Sequence, residues 1–146
     1  MTNPSGTTHP LIQRVLADKP PIAKLIGFDI EGIADGRAVG TMDAGPQHHN
    51  PMGTLHGGIL CDLADAAMGM AFFSTLEEGE SFTTLELKMN YLRPFWTGKL
   101  LAHGTVVSRG RTVGLTECRV VDDQERLIAH ATSTCMALRG DAAQGR

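Results

Sequence analysis

Gly57–Leu76 reads GGILCDLADAAMGMAFFSTL. Apolar residues recur around nearly its whole circumference, alanine is frequent, and the run is too long for an ordinary strand. These features predict a helix buried on most sides. Asp62 and Asp65 interrupt the apolar run and argue against a membrane span. Upstream, Asp43–Leu55 holds Gly45, Pro46, Asn50, Pro51 and Gly53, all turn formers, and is predicted as a loop. Before that come a strand near Phe28–Ala34, the hairpin signal Asp35-Gly36, and a strand near Arg37–Met42. A short helix is expected at Leu11–Leu16, ended by Pro20-Pro21. Downstream, Phe82–Leu92 alternates: Leu85, Leu87, Met89 and Tyr91 are expected on one face, Thr84, Glu86, Lys88 and Asn90 on the other. Strands near Leu100–Ser108, Thr112–Val121 and Leu127–Leu138 follow, joined through Arg109-Gly110-Arg111 and Asp122-Asp123-Gln124. One central helix with strands before and after it predicts an α+β fold, a curved antiparallel sheet wrapped around that helix. Helices do not alternate with strands, which excludes a doubly wound parallel sheet.

The chain has 146 residues, the size of one domain, which leaves no room for separate cofactor and substrate domains. At 42% hydrophobic and 20% charged it can build a packed core. A net charge of -3 argues against a nucleic-acid partner, which calls for a basic surplus. Glycine, at 17 residues, fits tight turns and close backbone contacts. Cys61, Cys118 and Cys135 are odd in number and widely spaced, so no zinc site, other metal site or redox pair is expected. Free thiols and a polar N-terminus, Met1–His9, without an apolar core point to the cytoplasm and no leader. The segments Met1–Pro10 and Arg139–Arg146 are small and polar and are expected to fray.

The chemistry concentrates in Asn50-Pro-Met-Gly-Thr-Leu-His56-Gly57-Gly58, with Asp62 and Asp65 further along the helix. The first N–H groups of a helix have no partner within it and carry the positive end of its dipole. Gly57 and Gly58 let a ligand reach them, so an oxygen that becomes anionic during reaction fits there. Asp65 sits about two turns in, among Leu63, Ala64, Ala66, Ala67 and Met68, where an ionised carboxylate needs compensation. Taken singly, each residue has an ordinary reading: Asp65 a satisfied acid, His56 an ordering residue of the loop, Asn50 a turn former. Their conjunction is the signal.

The segment N-P-M-G-T-L-H-G-G-x6-D resembles the hotdog-fold acyl-CoA thioesterases of the phenylacetic-acid-degradation branch. The resemblance continues through Thr84–Pro94 and Gly110-Arg111 and runs from about Ile22 to Leu138. It implies residues 1–21 as an N-terminal segment, 22–138 as the hotdog domain and 139–146 as a tail. It implies hydrolysis of an acyl-CoA to free acid and coenzyme A, with no cofactor. The acyl group would be a small aromatic or a short to medium aliphatic chain. The site would lie at the interface of a homodimer, in a homotetramer built as a dimer of dimers. Gly57 N–H would polarise the thioester carbonyl, His56 would shape the loop and Gly58 would help bind. Asn50 would position carbonyl or water, and Thr84 would assist the water. Asp65 of the opposing subunit would be general base or nucleophile. Asp62 is the rival acid and Thr83 the rival hydroxyl. Arg109, Gly110 and Arg111 are candidates for the coenzyme A phosphates, or form an ordinary basic hairpin; Arg93 and Lys99 are weaker ones. Two other readings stay open: a hotdog hydratase or dehydratase on enoyl thioesters, and a non-catalytic acyl-CoA binding module.

Overall fold

The computed structural model describes residues 9–146; the polar stretch 1–8, part of the expected frayed N-terminus, lies outside them. The chain forms α1 (Pro10–Ala17), α2 (Pro21–Ile26), β1 (Phe28–Ala34), β2 (Arg37–Ala44), α3 (Gly57–Phe73), β3 (Ser81–Tyr91), β4 (Gly98–Arg109), β5 (Val113–Asp122) and β6 (Leu127–Leu138). Short 3-10 turns occupy Pro46–His48 and Gly140–Ala143. All six strands belong to one antiparallel sheet, ordered β1-β2-β4-β5-β6-β3.

The sheet curls around α3. Leu63, Ala64, Ala67, Met68, Ala71 and Phe72 of the helix are fully buried against β2, β4 and β5. Glycines make that approach possible. A Cβ on Gly104 of β4 would lie 2.6 Å from the Ala67 carbonyl, and one on Gly114 of β5 2.6 Å from Phe72. The predicted use of glycine for close contact is met at these two positions.

Asp35 and Gly36 both take positive φ, at 51° and 73°, the primed-turn conformation that joins β1 to β2. The 20–26 region differs from expectation. Pro20-Pro21 ends one helix but also starts another, because a proline in a first helical turn lacks only an N–H that would have no partner. Gly27, at φ 91°, closes that second helix. Helix α3 stops at Phe73 rather than Leu76, where Ser74 and Thr75 turn their hydroxyls back onto the Ala71 and Phe72 carbonyls, each at 2.7 Å. The C-terminal segment, expected to fray, carries a 3-10 turn, and Arg139 before it pairs with Glu80 at 2.6 Å.

Strand β3 corrects the expected alternation. Its register with β6 shifts between Thr84, opposite Cys135, and Glu86, opposite Thr134. Leu85 is the extra residue of this bulge and is 54% exposed, whereas Leu87 and Met89 pack against the core. Before the bulge the inward positions are Phe82 and Thr84; after it they are Leu87 and Met89. β3 is also an edge strand, eleven residues long and paired on one side only.

Candidate active site

His56 is the N-cap of α3, and its Nδ1 accepts the Gly58 N–H at 2.9 Å. With Nδ1 occupied as an acceptor, a neutral His56 carries its proton on Nε2 and presents a donor outwards. The Gly57 N–H has no acceptor among the described residues. The helix therefore starts with one free backbone donor beside one imidazole donor, at the positive end of its dipole.

Tyr91, at the end of β3, closes over this point. Its hydroxyl donates to the Gly57 carbonyl at 3.1 Å and meets Cys61 Sγ at 3.3 Å. The Cys61 contact and partial desolvation push the phenol up to about 12, so Tyr91 remains a donor at neutral pH. A Cβ on Gly57 would lie 2.8 Å from the Tyr91 ring. The sequence reading did not single out Tyr91. Its place in an apolar alternation hid it, although it belongs to the N-Y-L-R-P run.

Asn50 builds the loop in front of the helix. Its Oδ1 accepts from the Met52 and Thr54 N–H groups at 3.0 and 3.1 Å, and Nδ2 donates to Thr54 Oγ1 at 2.8 Å. This is an Asx turn closed by Gly53 at φ 86°. The buried His48 anchors the same loop, donating from Nε2 to the Ile26 carbonyl at 2.7 Å and accepting from Gly45 N–H at 3.1 Å. Asn50, Thr54, His56, Gly57, Gly58, Tyr91 and Arg93 line one cleft of about 500 Å³.

Asp65 stands on the open flank of α3. Desolvation by its neighbours pushes its carboxyl above the usual aspartate range, the Asp62 carboxylate adds to the rise, and the nearby Thr84 side chain lowers it. Asp62 is likewise raised by desolvation and lowered by His56. Ahead of the bulge in β3, Thr84 faces inwards opposite Cys135, its Oγ1 4.0 Å from Cys135 Sγ, while Thr83 lies opposite Met136 on the outer face. Asp65 lies eight residues after Gly57 on one helix, an axial distance of roughly 12 Å. One thioester carbonyl cannot touch both groups of the same chain.

The basic hairpin lies elsewhere. Arg109 stacks on Phe72 at 4.7 Å and its Nε donates to Thr75 at 2.9 Å, both near the C-terminal end of α3. Gly110 N–H closes the turn on the Val113 carbonyl at 2.8 Å. Arg111 is exposed. Within one chain the structure does not bring Arg109, Gly110 and Arg111 to the cleft; Arg93 is the arginine that lines it. Spacing alone could not tell which end of α3 the hairpin would meet.

Residues 52–129 match the Thioesterase superfamily. The acyl-coenzyme A thioesterase PaaI of Escherichia coli K12 is 32% identical over 73% of this chain and 75% of its own length. The 1,4-dihydroxy-2-naphthoyl-CoA hydrolase of Listeria monocytogenes is 26% identical over 77% of this chain and 92% of its own. The crystallised E. coli PaaI protein of the phenylacetic acid degradation operon superposes with a TM-score of 0.79 at 28% identity, covering 88% of this chain and 91% of that one. A curled six-stranded sheet around one helix, an open helix start and a matching profile across more than half its length make this chain a member of the thioesterase superfamily, with the hotdog fold.

Proposed function

We propose that the chain hydrolyses acyl-CoA thioesters to free acid and coenzyme A at a site shared by two subunits. The observation that carries this reading is the unpartnered Gly57 N–H beside the His56 Nε2 donor in an accessible cleft. The thioester oxygen takes its developing charge there, where an oxyanion donor is worth about 3–4 kcal/mol of barrier. Asp65 of the opposing subunit draws a proton from water, held by Thr84, and the water attacks the carbonyl carbon. The C–S bond breaks and coenzyme A leaves as the thiol. A general base contributes ~10²–10⁴-fold. The pushed-up carboxyl favours the base over the nucleophile.

The axial separation of roughly 12 Å supports a site completed by a second copy, and the exposed edge of β3 offers it a place to pair, giving one continuous sheet through two chains. We extend this to a dimer of dimers. Asn50 orders the loop and Gly58 holds His56 in place. Arg93 meets the coenzyme A phosphates in the cleft, and the exposed Arg111 meets them from a neighbouring subunit. The three free cysteines fit a cytoplasmic location.

The test is thiol release from a panel of acyl-CoAs. Wild type should turn over several, and Asp65→Asn should lose 10²-fold or more of kcat. Hydration of an enoyl thioester without thiol release, or tight binding without turnover, would replace this reading with the hydratase or the binding module.

A further inference from the structure

We propose that Tyr91 is a positioning residue: through the Gly57–Gly58 peptide, its hydroxyl holds the His56 imidazole with Nε2–H presented to the cleft. The inference rests on the thioesterase reading above and adds a residue to it. Hydrogen-bonding groups stand in a chain at the start of α3. The Tyr91 hydroxyl donates to the Gly57 carbonyl at 3.1 Å. The same peptide ends in the Gly58 N–H, which donates to His56 Nδ1 at 2.9 Å. Behind the hydroxyl, Cys61 Sγ lies 3.3 Å away. With the phenol hydrogen on the Gly57 carbonyl, the thiol is the donor in that contact. Each bond polarises the next. A carbonyl that accepts makes its peptide N–H a better donor, and an Nδ1 that accepts makes Nε2–H a better donor in turn. The chain ends in the imidazole donor beside the free Gly57 N–H.

The glycine pair admits the two rings. A Cβ on Gly57 would lie 2.8 Å from the Tyr91 ring, and one on Gly58 would lie 2.9 Å from His56 Nδ1. A side chain at either position would push its ring away. A Gly-Gly peptide is also the least restrained that a chain offers, and hydrogen bonds at its carbonyl and its N–H together fix its plane. The preceding peptide is held separately: the His56 carbonyl accepts the Ile59 N–H at 3.0 Å. Loss of the Tyr91 hydroxyl therefore loosens the imidazole donor and spares the Gly57 N–H. The tyrosine itself is anchored from behind. The next residues, Leu92 and Arg93, both donate from N–H to the Ile128 carbonyl, at 3.0 and 3.1 Å. Tyr91 is 56% exposed, so filling a core does not account for it.

The experiment compares Tyr91→Phe with wild type. The ring stays over Gly57, so packing and ring current are kept and only the hydroxyl is lost. For an acyl-CoA that wild type turns over, kcat should fall about three- to tenfold, the size of one hydrogen bond, with KM within about twofold. The second readout is magnetic resonance on isotope-labelled protein, well above the ordinary histidine value of about 6.5, where imidazoles are neutral. The His56 Nδ1 and the Gly58 amide proton should both move towards the shifts of unbonded groups. His56 is assigned by its absence in His56→Asn, whose side chain keeps a helix cap. A tyrosine that only packs would leave both resonances in place. Unchanged His56 and Gly58 resonances in folded Tyr91→Phe, an unchanged kcat, or a loss carried by KM alone would overturn the proposal. If wild type released no thiol from any ester, the thioesterase reading would fail separately, and the two resonances would still decide whether Tyr91 holds His56.

Discussion

The Asp65 carboxyl titrates above the ordinary aspartate range because its surroundings strip water from it and Asp62 repels its charge. In the proposed mechanism the ionised form is the base, so activity should rise with pH through an inflection above the usual value of about 3.9. Removing the Asp62 charge should move that inflection to lower pH, because a neighbouring anion is then gone. The kcat/KM–pH profile of Asp62→Asn measures this; an inflection that stays put would make Asp62 irrelevant to the base. The same shift has a stability consequence. A carboxyl whose folded pKa is raised makes ionisation costlier in the folded state. Its destabilising effect sets in as pH rises through the unfolded value and is complete above the folded one. Asp65→Asn should therefore melt no lower than wild type at neutral pH, while losing turnover. A lower Tm would show Asp65 to be a structural acid. Asp65 as the acid comes from the resemblance carried by its spacing to His-Gly-Gly, and its role stands as proposed. Thr84 over Thr83 likewise comes from the resemblance; the alternation alone does not separate them, because the one-residue bulge leaves no trace in it.

At the scale of elements, the long helix was legible from composition and length, and so were the hairpin at Asp35-Gly36 and the strands. Helix α2 was not, because two prolines stop and start a helix with the same residues. The position of the Arg109 hairpin was not legible either, since it depends on how β4 passes α3. That crossing makes a sharp prediction. Gly104→Ala drives a methyl into the Ala67 backbone at 2.6 Å, and neither helix nor strand backbone can yield cheaply. The variant should lose about 1–3 kcal/mol in denaturant unfolding, the usual cost of overpacking. The loop before α3 makes another. His48→Ala leaves the Ile26 carbonyl and Gly45 N–H without their partner, at about 1–3 kcal/mol. Its urea midpoint should fall accordingly, and an unchanged midpoint would remove His48 as the anchor of the loop before α3.

At the scale of the molecule, the Gly57 N–H and Asp65 lie about 12 Å apart along one helix, which is the ground for proposing a site shared between two chains. The long edge of β3, with Leu85 exposed, is the surface proposed to bring them together. The most direct test mixes two inactive subunits, Asp65→Asn and Gly57→Val, after unfolding and refolding them together. If the sites are shared, half of the dimers are mixed, and each has one site with both an intact acid and an intact helix start. About a quarter of wild-type thiol release should return. If each site lies within one chain, every site in every dimer stays broken, and the mixture remains as inactive as its parts.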